Sequence, residues 1–162
     1  MANTASATVT YNDASCLANT QYNYRISAIN RVPLLGSAGT ALANTTLAGV
    51  PGAPTALVVT VANTSQLNLS WTASAANGSA ISGYRIERES PTGGGFSDLV
   101  ANTTTNAVTY NNSGLAAGTQ YNYRITGING MGAGVAGSAL ANTTLSLGVG
   151  VLTGAQMGFP YC

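Results

Sequence analysis

The chain has 162 residues, 45% of them hydrophobic but only 6% charged, where an average soluble protein carries about a quarter. Five arginines (Arg25, Arg31, Arg85, Arg88, Arg124) face four acids (Asp13, Glu87, Glu89, Asp98) for a net charge of +1, so nucleic acid is not expected as a partner. Without histidine or lysine, the usual general base, Ser/His/Asp and Cys/His nucleophiles, P-loops, Schiff bases and histidine zinc sites are out of reach; a non-enzyme with no cofactor is expected.

Along the chain, no apolar run approaches the ~18 residues of a membrane helix, and Met1 to Thr10 lacks the basic and apolar regions of a signal peptide. The first informative stretch, TYNDASCLANTQYNYRISAIN at residues 10 to 30, recurs as TYNNSGLAAGTQYNYRITGIN at residues 109 to 129, a shift of 99 positions. SAGTALANTTL, ending at Leu47, recurs as VAGSALANTTL, ending at Leu145, a shift of 98. Residues 48 to 145 therefore form one complete unit, residues 1 to 47 repeat only its second half, and residues 146 to 162 are a tail without counterpart.

In the complete unit, short alternating segments bounded by Gly, Asn and Pro predict an all-β sandwich of seven strands. They are Thr55 to Val61, Gln66 to Thr72, Ile81 to Glu89, Gly95 to Ala101, one around Val108 and Tyr110, Thr119 to Ile128, and Gly137 to Thr144. Leu67, Leu69, Trp71, Tyr84, Ile86, Tyr121, Tyr123 and Ile125 fall on the inward phase. The segments PGAPTAL, LNLSW, SGYRIERE and above all GLAAGTQYNYRITGIN resemble a fibronectin type III domain, an immunoglobulin-like sandwich. The resemblance implies that Trp71 is the core tryptophan, that Leu115, Thr119 and Tyr121 stand on the family's corner motif, and that Tyr121 bonds upstream backbone through its hydroxyl. It implies that residues 1 to 47 hold the last three strands of a second domain, with Tyr22 at its corner and Cys16 where the complete unit has Leu115. No Arg-Gly-Asp occurs in the loop before the last strand.

Three strands with nothing opposite them leave Tyr22, Tyr24, Ile26 and Ile29 poorly covered. At roughly 1.5 to 3 kcal/mol per large apolar side chain, three such residues forfeit on the order of 5 to 9 kcal/mol. Three accounts stand side by side: a fragment of a longer protein, completion by a segment of another subunit, or a smaller packing against the complete unit. The candidate donor is the tail, where Leu147, Val149 and Val151 alternate with Gly148, Gly150 and Leu152; a loose terminus or an edge strand on its own domain are the alternatives. Head-to-tail donation gives a homopolymer, in the open case a filament.

The remaining candidates are weaker. Glu87 and Glu89 share a strand face with Arg85 and read as outward compensating charges rather than a catalytic pair, and the four scattered acids make no metal site. Glycosylation acceptors of the form Asn-x-Ser/Thr begin at Asn44, Asn63, Asn68, Asn77, Asn102, Asn111 and Asn142; chance in an Asn/Thr-rich chain competes with a glycan-coated surface. Cys16 is either a small buried hydrophobe or the disulfide partner of Cys162 in a neighbouring chain, which would need an oxidising compartment. The loop Arg31 to Leu35 is a contact surface or a loop packed on its own domain. The leading expectation is a non-catalytic extracellular subunit of a cell-surface or filamentous assembly, in the style of secreted archaeal and bacterial repeats. The alternatives are a spacer or carbohydrate-binding accessory of a secreted enzyme, which requires exposed aromatic platforms, and an adhesion module.

Overall fold

The computed structural model describes residues 10–29, 36–90 and 93–148, and among these every regular element is a strand. In chain order they are β1 (Gln21–Tyr24), β2 (Leu42–Thr45), β3 (Thr55–Asn63), β4 (Gln66–Thr72), β5 (Ile81–Glu89), β6 (Ser97–Val100), β7 (Thr109–Ser113), β8 (Gln120–Asn129), β9 (Gly132–Ala136) and β10 (Leu140–Thr143). All ladders are antiparallel: one sheet runs β3-β4-β7, a second runs β10-β8-β5-β6 with β9 also on β8, and β1 and β2 pair alone.

The two larger sheets face each other, as the alternation requires. Leu67, Leu69 and Trp71 of β4 meet Tyr84 and Ile86 of β5 and Tyr121, Tyr123 and Ile125 of β8, all buried. Trp71 packs edge-on against Tyr84 with ring centroids 5.2 Å apart, a geometry that sets the positive ring edge against the negative face. At one end, the Arg88 guanidinium lies 5.2 Å above the Tyr121 ring, covering the core with the charged head of a long side chain.

The corner before β8 is closed by bonds between residues close in the fold. The Tyr121 hydroxyl accepts the Ala116 N–H at 3.0 Å. Thr144 Oγ1 accepts from Thr119 N at 3.1 Å and donates to the Ala116 carbonyl at 2.7 Å. Gly118 takes the left-handed conformation (φ 60°) between them.

The strands depart from the sequence expectation at three places. A strand not expected from the sequence, β9, pairs with β8 just before the expected last strand, which itself begins only at Leu140; between them the Pro51–Pro54 segment passes so close that a Cβ on Gly137 would lie 2.5 Å from the Pro54 carbonyl oxygen. The fifth strand is laddered to β4 from Thr109 on, where Thr109 pairs with Ser70, and beyond that pair Val108 adds a single bond, its carbonyl accepting the Trp71 N–H at 3.1 Å. Residues 10–12, the counterparts of the start of β7, are in no strand. β7 owes its conformation to the ladder with β4, and no described strand plays the part of β4 for residues 10–12.

The charges gather on the outer face of the larger sheet. Arg124 grips Glu87 with two bonds, Nε at 2.8 Å and Nη2 at 2.7 Å, and Arg85 joins from 3.5 Å while also pairing with Asp98. Arg124 in turn stacks over Phe96 at 4.4 Å. Glu87 is thus not the solvated outward charge expected from its strand phase: its side chain is only 4% exposed, beneath two guanidiniums. The Arg124 bonds, reinforced by the charges of Arg124 and Arg85, outweigh burial and hold its carboxyl below the ordinary 4.5. Glu89 caps the following turn, its Oε1 accepting from Gly93 N at 2.7 Å and Gly95 N at 3.2 Å.

Two outcomes follow. Tyr121→Phe leaves the Ala116 N–H without its acceptor and should lower the stability of the complete unit by about 1–3 kcal/mol, measured by urea unfolding on Trp71 fluorescence; Tyr22→Phe, far from Trp71 in the repeat, should leave that transition in place. Because the Glu87 value is depressed in the fold, its contribution is complete above the unfolded value and drains away as pH falls below 4.5. Glu87→Gln should therefore cost roughly 1–3 kcal/mol at neutral pH, and the gap between variant and parent should close toward pH 2.

Candidate assembly surface

The β1–β2 ribbon reproduces β8–β10 bond for bond. The Tyr22 hydroxyl accepts from Leu17 N at 2.9 Å, as Tyr121 does from Ala116. Thr46 Oγ1 accepts from Thr20 N at 2.9 Å and donates to the Leu17 carbonyl at 2.5 Å, and Asn19 N donates to Leu47 O at 2.9 Å. Asn19 takes the left-handed turn (φ 48°) that Gly118 takes in the complete unit, as asparagine does more readily than most residues. All these partners lie within residues 17–47, so the corner closes without the rest of a sandwich.

Its inner face has no opposite sheet among the described residues. Ile26 is 82% exposed where its counterpart Ile125 is 1%, and Tyr24 is 40% exposed where Tyr123 is 0%. Tyr22 is half-buried, its ring 6.3 Å from that of Tyr24, while Ile29 and Leu42 are open. The identical sequence QYNYRI thus forms a core in one place and a surface in the other.

Two side chains mark where a complement would sit. In the complete unit Asn142 Nδ2 donates across to the Val59 carbonyl of β3 at 2.7 Å, stitching the seam between the sheets. Its counterpart Asn44 is exposed and, among the described residues, bonds through its Oδ1, which accepts from Thr45 N at 2.9 Å. Likewise Asn112 Nδ2 donates to the buried Tyr123 hydroxyl at 2.7 Å, whereas Asp13 Oδ2 accepts from the Tyr24 hydroxyl at 2.9 Å. The Ser15 bonds, and after them Tyr24, hold the Asp13 carboxyl below its usual range. Cys16 Sγ, 3.1 Å from the Tyr24 hydroxyl, and Asp13 together push the Tyr24 phenol up. Cys16 is a free thiol and half-buried rather than the buried hydrophobe that the Leu115 position suggests. Neither the Asn44 seam nor the Asp13–Tyr24 bond was singled out from sequence, although the alignment of the repeat carries both, as Asn44 beside Asn142 and Asp13 beside Asn112.

The other candidates are dispersed. Leu147 is exposed; Val149, Val151, Cys162 and the loop 31–35 lie outside the described residues. Among the acceptor asparagines, Asn44, Asn63, Asn77, Asn102 and Asn111 are exposed. Asn77 Nδ2 donates to Val50 O at 2.8 Å, Asn142 Nδ2 is held at the seam, and Asn68 sits mid-strand with Oδ1 accepting from Gln66. Glu87 and Glu89 are committed to Arg124 and to the turn, and among the described residues no three potential ligands cluster as a metal site. A cleft of about 240 Å³ beside Pro54, Leu57, Ile125 and Gly137 has no titratable side chain in its lining. No helix of the described residues is long and apolar enough to cross a membrane.

No curated protein matches the chain. Among solved structures it is similar to domains d3–d4 of the rat CD45 extracellular region, at 19% identity and TM-score 0.61, covering 89% of this chain and 74% of that one. It is also similar to the 6th fibronectin type III domain from human fibronectin type III domain containing protein 3, at 21% identity and TM-score 0.53, covering 62% and 91%. With titin domains A168–A170 it shares 22% identity and TM-score 0.54 over 64% of its length, spanning only 37% of that fragment. These likenesses concern the fold. The fibronectin type III domain family model matches residues 52–144, the span that holds the core, the tyrosine corner and both facing sheets, and the chain belongs to that family.

Proposed function

We propose that this chain is a non-catalytic structural subunit of an extracellular, cell-surface or filamentous assembly, joined to its neighbour through the open β1–β2 face. The observation that carries the reading is the contrast between Ile26, 82% exposed, and Ile125, 1% exposed, in otherwise matching ribbons. A surface of Tyr22, Tyr24, Ile26 and Leu42 gains from being covered, at roughly 1.5–3 kcal/mol for each large side chain buried. A strand from a neighbouring chain is the proposed cover, by β-augmentation. The donor is the tail, whose Leu147, Val149 and Val151 continue an alternation in sequence beyond the last ladder. Donation of one chain's tail to the next chain's ribbon is heterologous and propagates as a filament unless its rotation closes. A disulfide between Cys16 and Cys162 of the neighbour would lock that contact. Glycans on exposed Asn63, Asn102 and Asn111 would supply the hydration that a chain with 6% charged residues lacks.

Sedimentation and negative-stain microscopy test this on the full chain, a chain ending at Ser146, and Ile26→Lys. Polymers are expected from the first and monomers from the other two, with the Trp71-reported unfolding transition unchanged. Monomers in all three samples, or polymers in all three, reject the reading. Secretion through a glycosylating host followed by peptide mass spectrometry should find Asn63, Asn102 and Asn111 occupied and Asn77 and Asn142 largely vacant, since the latter two commit their Nδ2 to backbone carbonyls.

A further inference from the structure

The chain carries two copies of one ribbon and, among the described residues, one half-sandwich for them to pack on. Four side chains by which β8–β10 grips that half-sandwich recur within residues 22–44. Arg124, which binds Glu87, has Arg25; Asn122, which donates to Glu89 at 3.1 Å, has Asn23; Tyr121 beneath Arg88 has Tyr22; Asn142 at the Val59 carbonyl has Asn44. In a pair of molecules, the first ribbon of one copy is therefore furnished to displace β8–β10 of the other. Such an exchange is a common route to unintended dimers.

At the positions buried in the complete unit, four described residues of the ribbon differ: Asp13 for Asn112, Cys16 for Leu115, Ser27 for Thr126 and Ala28 for Gly127. The first three keep or reduce the volume, and only Ala28 adds an atom. Gly127 pairs with Tyr84 in the middle of the sheet, and a Cβ on it would lie 2.4 Å from Ser74 Oγ, 2.9 Å from Ser74 Cβ and 3.2 Å from Pro51 Cβ. Turning the serine hydroxyl away does not relieve the overlap, because Ser74 Cβ is placed by the backbone. That backbone is held by the Gly52 N–H to Ala75 carbonyl bond at 2.9 Å, next to the stiff Pro51. The other close approaches to this segment fall at Gly134 and Gly137, whose counterparts Gly36 and Gly39 are also glycines.

We infer that Ala28 is a specificity residue that bars the first ribbon from the place of β8 in a second copy, so copies join by adding a strand to the open ribbon and not by exchanging ribbons. The inference rests on the assembly reading above for its consequence, but on the Gly127 surroundings for its cause.

Hydrogen exchange by mass spectrometry, after refolding the full chain from denaturant at high concentration, separates the two modes. An added strand protects amides 21–25 and leaves 120–128 protected; an exchanged ribbon protects 21–28 in one copy and exposes 120–128 in the other. The parent is expected to show no exchanged dimers, whereas Ala28→Gly and, independently, Ser74→Gly should each produce them. In the monomer, Gly127→Ala should lower the Trp71-reported Tm by roughly 5–20 °C, and adding Ser74→Gly should restore most of that loss. Exchanged dimers in the parent, their absence from both variants, or an unaltered Tm in Gly127→Ala would overturn the inference. Assembly that survives tail truncation while Ala28→Gly still gives exchanged dimers would sink the assembly reading and leave this one standing.

Discussion

A sheet buries its apolar face only when a second sheet lies against it, and the rest of this structure depends on that requirement. The same six residues, QYNYRI, line a core when β3-β4-β7 stands opposite and an open surface when no described strand does. The corner and the ladder register up to Tyr24 are shared, but β1 ends there while β8 runs on through Ile125 against β5, so Ile26 lacks both the strand and the cover of its counterpart. Hydrophobic burial is non-directional and scales with area removed from water, so a face of this kind attracts whatever β surface fits it. Fit, and not attraction, then decides which surface could cover such a face.

Local and long-range interactions part company in the first ribbon. The bonds of Tyr22, Thr20, Thr46 and Asn19 close within thirty-one residues, 17–47, and survive without a sandwich. The bond that reaches across, from Asn142 to Val59 in the complete unit, has no equivalent among the described residues, where Asn44 is exposed. Residues 10–12 show the same division from the other side. They share the Thr-Tyr-Asn of β7 but not its ladder to β4, and without a ladder they are not a strand. The few charges obey a related logic on the outer face: Glu87 tolerates burial because Arg124 meets it with two bonds and Arg85 stands by. One carboxylate beneath two guanidiniums also pins β5 to β8 in register, an effect a solvated pair of charges would not have.

Much of this was legible beforehand, for reasons tied to particular residues. Gln66–Thr72 and Ile81–Glu89 were readable to their ends because their alternation is clean and their bounds are turn residues. The repeat exposed the second copy of the ribbon, and the corner sequence exposed the family. The strand β9 was not legible in its glycine-rich segment, nor was the passage of Pro54, over eighty residues away in sequence, against Gly137. Nor was the burial of Glu87, whose strand phase places it outside; only the fold brings Arg124 and Arg85 over it. The seam asparagines were read as glycosylation acceptors, because nothing in Asn-Thr-Thr reveals that one copy faces a carbonyl of β3 and the other does not.

By itself the sequence determined much that depends on neighbours along the chain: the period-2 faces, most of the turns, the corner motif and the exclusion of histidine or lysine chemistry. It also determined that a ribbon occurs twice, because duplication is a property of order alone. Only the tertiary structure decided which copy is covered, why Gly127 cannot be exchanged for Ala28, and where each charge rests. Those outcomes depend on Ser74, Pro51 and Val59 arriving from distant parts of the chain, and the distance of a side chain from a remote backbone is not written in any local pattern.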